Sequence, residues 1–150
     1  MTVALNSYIN FNGNAREAMD FYKSIFGGEV YSDTFAKYES TGMPVAPGDR
    51  DKIMHAYLKG DNGIELMGSD AMGDGPASSS NEQISLAVSG DDEAALRAYW
   101  DGLAAEGTVT VPMNTSPWGD TFGMLTDKFG VKWMVNIGKP KDEQGAPAEV

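Results

Sequence analysis

Trp118-Gly119-Asp120-Thr121-Phe122-Gly123-Met124-Leu125-Thr126-Asp127-Lys128-Phe129-Gly130-Val131-Lys132-Trp133-Met134 reads as strand, tight turn, strand. The Asp127-Lys128-Phe129-Gly130 turn sits between two apolar runs, and Gly130 supplies the positive φ that a tight hairpin needs. A shorter relative of the last strand stands earlier in the chain. Gly63-Ile64-Glu65-Leu66-Met67 matches Gly130-Val131-Lys132-Trp133-Met134. This echo pairs Met67 with Met134 and predicts two copies of one unit.

Working outward, residues 7–12 alternate as a first strand that Gly13 breaks. Asn14 is placed to cap a helix, with Glu17 three residues later reaching back. Ala15, Ala18, Met19, Tyr22, Ile25 and Phe26 form one apolar stripe at helical spacing, stopped by Gly27-Gly28. Residues 29–35 read as a second strand. Residues 36–52 read as a loop long enough to be functional or mobile. Strands at 53–59 and 64–68 flank Gly60-Asp61-Asn62-Gly63, a hairpin signal. The second unit repeats the order. It has a strand at 83–88 with Ile84, Leu86 and Val88 on one face. A helix capped by Asp91 or Asp92 carries Leu96, Tyr99, Trp100 and Leu103 and stops at Gly107. Strands follow at 108–113, 121–126 and 131–137. The pattern is βαβββ twice, an α+β chain with modules at 7–70 and 83–137, a linker at 71–82 and a disordered tail at 138–150. Each module has one helix to cover one face of its sheet, which leaves the other face open.

The chain has 150 residues, 41% of them apolar, and a formal net charge of −11. That charge repels nucleic-acid phosphates and anionic membranes and attracts cationic ligands. No run is long enough to cross a bilayer, and residues 1–6 lack the pattern of a signal peptide. There is no cysteine, so disulfides, thiolate metal sites and a cysteine nucleophile are excluded. A cytoplasmic setting fits. One histidine and no nucleophile elbow leave no serine triad. No glycine loop opens a helix in the manner of a phosphate site.

The chain resembles the vicinal oxygen chelate superfamily of glyoxalase I, bleomycin-resistance proteins and extradiol dioxygenases, and within it the PhnB-like branch. The resemblance is carried by Tyr8-Ile9-Asn10-Phe11 with Gly13-Asn14-Ala15-Arg16-Glu17-Ala18 and Phe21-Tyr22. It continues in Asp51-Lys52-Ile53-Met54-His55-Ala56, Ser69-Asp70, and the run from Trp118-Gly119-Asp120 to Trp133. It implies a single domain over residues 1–137 in which paired βαβββ modules form a curved mixed sheet around a cleft, the glyoxalase-like fold, and a homodimer. It implies no settled reaction. A ubiquinone-pathway methyltransferase description attaches to some members, and no Rossmann-type glycine motif here supports it.

Metal-using members of the superfamily place four ligands on four strands. Carried over strand by strand, the resemblance puts them at Ser7, Glu65, Gln83 and Met134, although the internal echo pairs Met134 with Met67 instead. Ser, Gln and Met are poor partners for a hard divalent ion, so the expectation is no metal and no cofactor. His55, the single histidine, has Tyr57 and Lys59 at spacing two, with Met54, Ala56 and Leu58 on the opposite face. A three-residue loop at 61–63 would pair Lys59 with Glu65 and put His55 and Glu65 on one face, roughly 13 Å apart. His55 is then either a sheet histidine satisfied by hydrogen bonds or a polar group of the cleft wall acting as donor, acceptor or acid/base. Tyr57, Met67, Gln83, Trp118, Phe122, Met124 and Met134 are the expected cleft residues. Trp118 either lines the cleft or packs at a dimer contact, and the methionines either make an adaptable wall or fill core.

Three functions compete on these grounds. The first is a metal-free protein that binds a small organic molecule, with a cationic drug-like compound favoured by charge. The second is a lyase, isomerase or dioxygenase-type enzyme using a non-standard metal site or His55 and Glu65. The third is a structural dimer whose cleft is filled by its own side chains.

Overall fold

A computed structural model describes residues 3–73, 84–117 and 119–139. Gln83, Trp118, most of the expected linker and residues 140–150 of the expected tail lie outside them. The chain divides into two compact units, Met1–Ser79 and Ser80–Val150.

The first unit runs β1 (Tyr8–Phe11), α1 (Ala15–Phe26), β2 (Glu29–Thr34), β3 (Ile53–Lys59) and β4 (Glu65–Asp70). Its sheet order is β1-β4-β3-β2, with β1 parallel to β4 and the other pairs antiparallel. The stripe expected on α1 is buried at Ala15, Ala18, Met19, Tyr22 and Phe26. It packs on Phe11, Ile53, Ala56, Leu58 and Leu66, all buried. Burying these side chains is the main stabilising term for so small a unit. Gly28, at φ +83, lets the chain leave the helix tightly against β3, because a Cβ there would collide with the Lys59 carbonyl.

The second unit repeats this plan with β5 (Leu86–Gly90), α2 (Glu93–Ala104), β6 (Thr108–Thr115), β7 (Thr121–Thr126) and β8 (Lys132–Ile137). The order is β5-β8-β7-β6, again with the first pair parallel. Leu96, Tyr99 and Leu103 of α2 are buried with Leu125, Trp133 and Val135. A Cβ on Gly123 would lie 2.7 Å from the Trp100 ring and 2.9 Å from Met113 Sδ, so the bare backbone there admits the tryptophan. The duplicated βαβββ reading holds, and the fold is α+β and glyoxalase-like.

Several local expectations change. Asn14 makes no side-chain cap on α1; its Oδ1 takes the Asn12 amide instead, at 3.2 Å. The helix start is held from across the unit, where Asp70 Oδ1 accepts from Ala15 N at 2.9 Å. In the second unit the local cap is real, and it is Asp92, accepting from Ala95 N at 3.1 Å. A bulge between Asp33 and Thr34 pairs Thr34 with Ile53 and Asp33 with His55. The extra residue, Met54, loses its place on the helix side, and Ile53 is buried there instead. Ile84 is 62% exposed rather than part of a strand face, because pairing with β8 starts at Leu86.

The 36–52 segment is not a free loop. It forms 3-10 turns at Phe35–Thr41 and Pro47–Asp49. Backbone bonds from Phe35 to Lys52 and from Ala36 to Arg50 zip its ends together, and an Arg50–Glu39 ion pair crosses it. Ala71 and Gly73, placed in the linker by the sequence, belong to unit one. Ala71 N donates to Phe11 O at 2.8 Å, and Gly73 N donates to the Asp49 carboxylate. Gly138, placed in the tail, extends the sheet by donating to Gly90 O at 2.7 Å.

Candidate functional site

Sheet register decides which side chains share the open faces. The 60–64 hairpin closes with Gly60 N donating to Ile64 O at 2.8 Å, and Asn62 (φ 58) and Gly63 (φ 77) both lie in the left-handed region. This is the three-residue loop, so Lys59 pairs with Glu65. His55, Tyr57, Lys59 and Glu65 therefore share one face. The face opposite the helix in unit one carries a row across all four strands. Tyr8 lies beside Met67, Met67 beside Tyr57, and Tyr57 beside Tyr31. One neighbouring row holds Glu65, Lys59 and Glu29. On the other side lie Asn10 with Ser69, and His55 with Asp33.

The polar groups of this face bond to one another. Tyr57 OH donates to Glu65 Oε1 at 2.6 Å. That bond, with partial burial and the charge of the carboxylate, raises the Tyr57 phenol above its ordinary pKa. Tyr8 reaches across β4 to His55, with its hydroxyl 3.3 Å from Nδ1 and the ring centroids 5.8 Å apart. Tyr31 and Tyr57 stack at 6.4 Å and 27°. The Lys37 ammonium, 2.7 Å from Asp33, holds that carboxyl below the usual range, with smaller help from the Tyr38 hydroxyl and His55. His55 is half-buried and bonded within the sheet, as one of its two readings requires. It and Glu65 do not meet, since their positions differ by four residues, roughly 13 Å.

The same rows in unit two have other chemistry. Ala87 lies beside Met134, Met134 beside Met124, and Met124 beside Val111. Two residues back from Met124, in the place His55 takes relative to Tyr57, stands Phe122, paired with Asn136 and Asn114. The registers make Met134 the counterpart of Met67, as the internal echo predicts, and not of Glu65. Phe122, Met124 and Met134 are thus brought together on one face, and Tyr57 and Met67 on another. At the edge of the second face Asn136 Nδ2 donates to buried Asp120 at 3.0 Å. Tyr8, Tyr31 and Asp33 were missed as members of the face. Their signal was the period-two alternation of β1 and β2, which says nothing until the register is known.

The model of the family described as 3-demethylubiquinone-9 3-methyltransferase matches residues 4–136. The chain belongs to the PhnB-like branch of the vicinal oxygen chelate superfamily. Protein YjdN of Escherichia coli (strain K12) is 31% identical over 148 residues, covering 93% of this chain and 99% of its own. The crystal structure of protein PA1353 from Pseudomonas aeruginosa is 33% identical, with a TM-score of 0.76 over 93% of this chain and all of that one. The PhnB protein from Bacillus cereus is 26% identical, with a TM-score of 0.69 over 91% and 100%.

Of the four places that the resemblance gives to the superfamily's metal ligands, Gln83 lies outside the described residues, and the side chains at the other three are a poor set for a hard divalent ion. Glu65 Oε1 already accepts a hydrogen bond from Tyr57 OH, and Met134 and its counterpart Met67 offer soft thioethers to a site that would hold a hard ion. Among the described residues no three His, Cys, Asp or Glu side chains are grouped to hold a metal. No described helix is long and apolar enough to cross a membrane.

Proposed function

We propose that this protein binds a small organic molecule on the open sheet faces of its two units, as paired modules of one domain, without the divalent ion used elsewhere in the superfamily. The observation that carries the reading is the content of those faces. One is a tyrosine row edged by carboxylates, and the other is a methionine, phenylalanine and valine patch; neither is covered by its unit's helix. Each face offers apolar surface to a ligand body, the first with a few polar groups beside it, and the methionines adapt to a ligand's shape. The net charge of −11 favours a ligand carrying positive charge, including a drug that the protein would sequester. The protein works as a cytoplasmic homodimer in this reading.

Native mass spectrometry of freshly purified protein tests all of this at once. The expected spectrum is a dimer with a carried-through organic mass and no stoichiometric metal. Bound Zn, Ni, Mn or Fe after dialysis against a weak chelator would end the metal-free reading.

A second reading, acid–base catalysis by His55 or Glu65, is supported by their bonds to Tyr8 and Tyr57. It predicts turnover that disappears in His55→Ala or Glu65→Gln while the ligand still binds.

A further inference from the structure

Two of the three hydroxyls in the tyrosine row of unit one are engaged within the sheet. Tyr57 spends its proton on Glu65, and Tyr8 spends its hydroxyl on His55. Tyr8 and Tyr31 are nevertheless 48% and 58% exposed. The row lays three rings on β1, β3 and β2, with Met67 of β4 between them and the Glu65 carboxylate fixed beside it. Ring faces carry the negative end of the aromatic quadrupole. Among the described residues, two lysines near the row stand against carboxylates. Lys37 is tied to Asp33, and Lys59 stands in the outer row between Glu29 and Glu65.

We propose that the row Tyr8–Met67–Tyr57–Tyr31, with Glu65, is a site for a methylated ammonium group on the bound molecule. The inference rests on the small-molecule reading above and assigns the positive end of that molecule to unit one. A weakly hydrated organic cation gains from ring faces and one carboxylate. A hard metal ion needs several oxygen ligands that this face does not supply. A primary ammonium keeps its water more tightly and gains less from the rings.

The test uses choline and its uncharged isostere 3,3-dimethylbutan-1-ol, titrated into the full chain. Binding is followed by calorimetry and by the NMR signals of His55, the single histidine, whose ring lies against Tyr8. Choline should bind about tenfold or more tighter than the isostere, and added salt should weaken it. Tyr31→Leu and Glu65→Gln should each cost about three- to fivefold, in line with an exposed cation–ring contact. Tyr31→Phe, which keeps the ring, should stay within about twofold of the parent. Tyr31 is mostly exposed, so neither change threatens folding.

Equal binding of choline and the isostere, or a Tyr31→Leu protein that binds choline like the parent, overturns the cation site. If choline fails while native mass spectrometry shows a carried-through uncharged ligand, only the cation site falls. If no organic ligand is found by either route, the small-molecule reading falls with it.

Discussion

The two units share one topology, and β1–β4–β3 pairs in the same register as β5–β8–β7, yet their open faces differ in kind. Tyr8–Met67–Tyr57–Tyr31 in the first stands where Ala87–Met134–Met124–Val111 stands in the second, and His55 stands where Phe122 does. The helix-covered faces diverge less, because both must fill a core with apolar volume. Duplication therefore fixed the scaffold, and the open faces were free to separate into an aromatic, titratable wall and a soft apolar one. The anchoring differs too. In unit one Asp70, at the end of β4, takes the amides of Ala15 and Ile53 at 2.9 Å each, tying helix and strand together. The corresponding place in unit two is Ile137, and α2 is capped by its own neighbour Asp92. There another buried aspartate, Asp127, accepts from Phe129 N, Val131 N and Trp133 Nε1 and so holds the β7–β8 turn.

The largest break in this comparison should come from Trp133→Ala. It empties the core of unit two and strips Asp127 of a partner, at a cost of about 3–5 kcal/mol. A denaturant midpoint gives the loss, and amide exchange tells where it falls. If the Ala15 amide loses protection together with Val135, the units do not unfold separately. Asp70→Ala should come next, costing about 3 kcal/mol because two buried amides lose their acceptor. Faster exchange at both Ala15 and Ile53 is the specific sign; a change at one alone would mean the aspartate does not act as a tie. Asp92→Ala, the local cap, should cost only about 1 kcal/mol. Parity between the Asp70 and Asp92 variants would erase the contrast in anchoring.

Acid should weaken unit one through two of its carboxylates. Lys37 holds Asp33 below its ordinary value of 3.8, and Lys52, with the Gly73 amide, does the same for Asp49. The folded state binds these protons less tightly than the unfolded chain. Their contribution is therefore whole above the ordinary carboxylate value and is lost as pH falls through the lowered ones. Unfolding curves taken down through that range should show Asp33→Asn less sensitive to acid than the parent. An unchanged slope would count against the ion pair.

The smallest effect is spectroscopic. In an alkaline absorbance titration Tyr57 should ionise after an ordinary tyrosine, since Glu65 raises it, and Glu65→Gln should bring it earlier. Among the described residues of unit two there is no such pair on the open face, so a late-titrating tyrosine that survives Glu65→Gln would have to be reassigned.

The sequence by itself determined the duplicated βαβββ plan, the two helical stripes, the Asp127–Gly130 turn with Gly130 at φ 87, and the Met67–Met134 correspondence. These are local or periodic signals, written in which residues alternate and where glycine must sit. It also named Tyr57, Glu65, Met124 and Met134, because alternation assigns a face once a strand is recognised. It could not say that Tyr57 bonds Glu65, that Tyr8 crosses a strand to reach His55, or that Asp70 rather than Asn14 holds α1. Those depend on strand order and register, which bring residues 47 and 55 positions apart into contact. Only the folded sheet sets such distances, since nothing in the spacing along a chain records which strands will lie side by side.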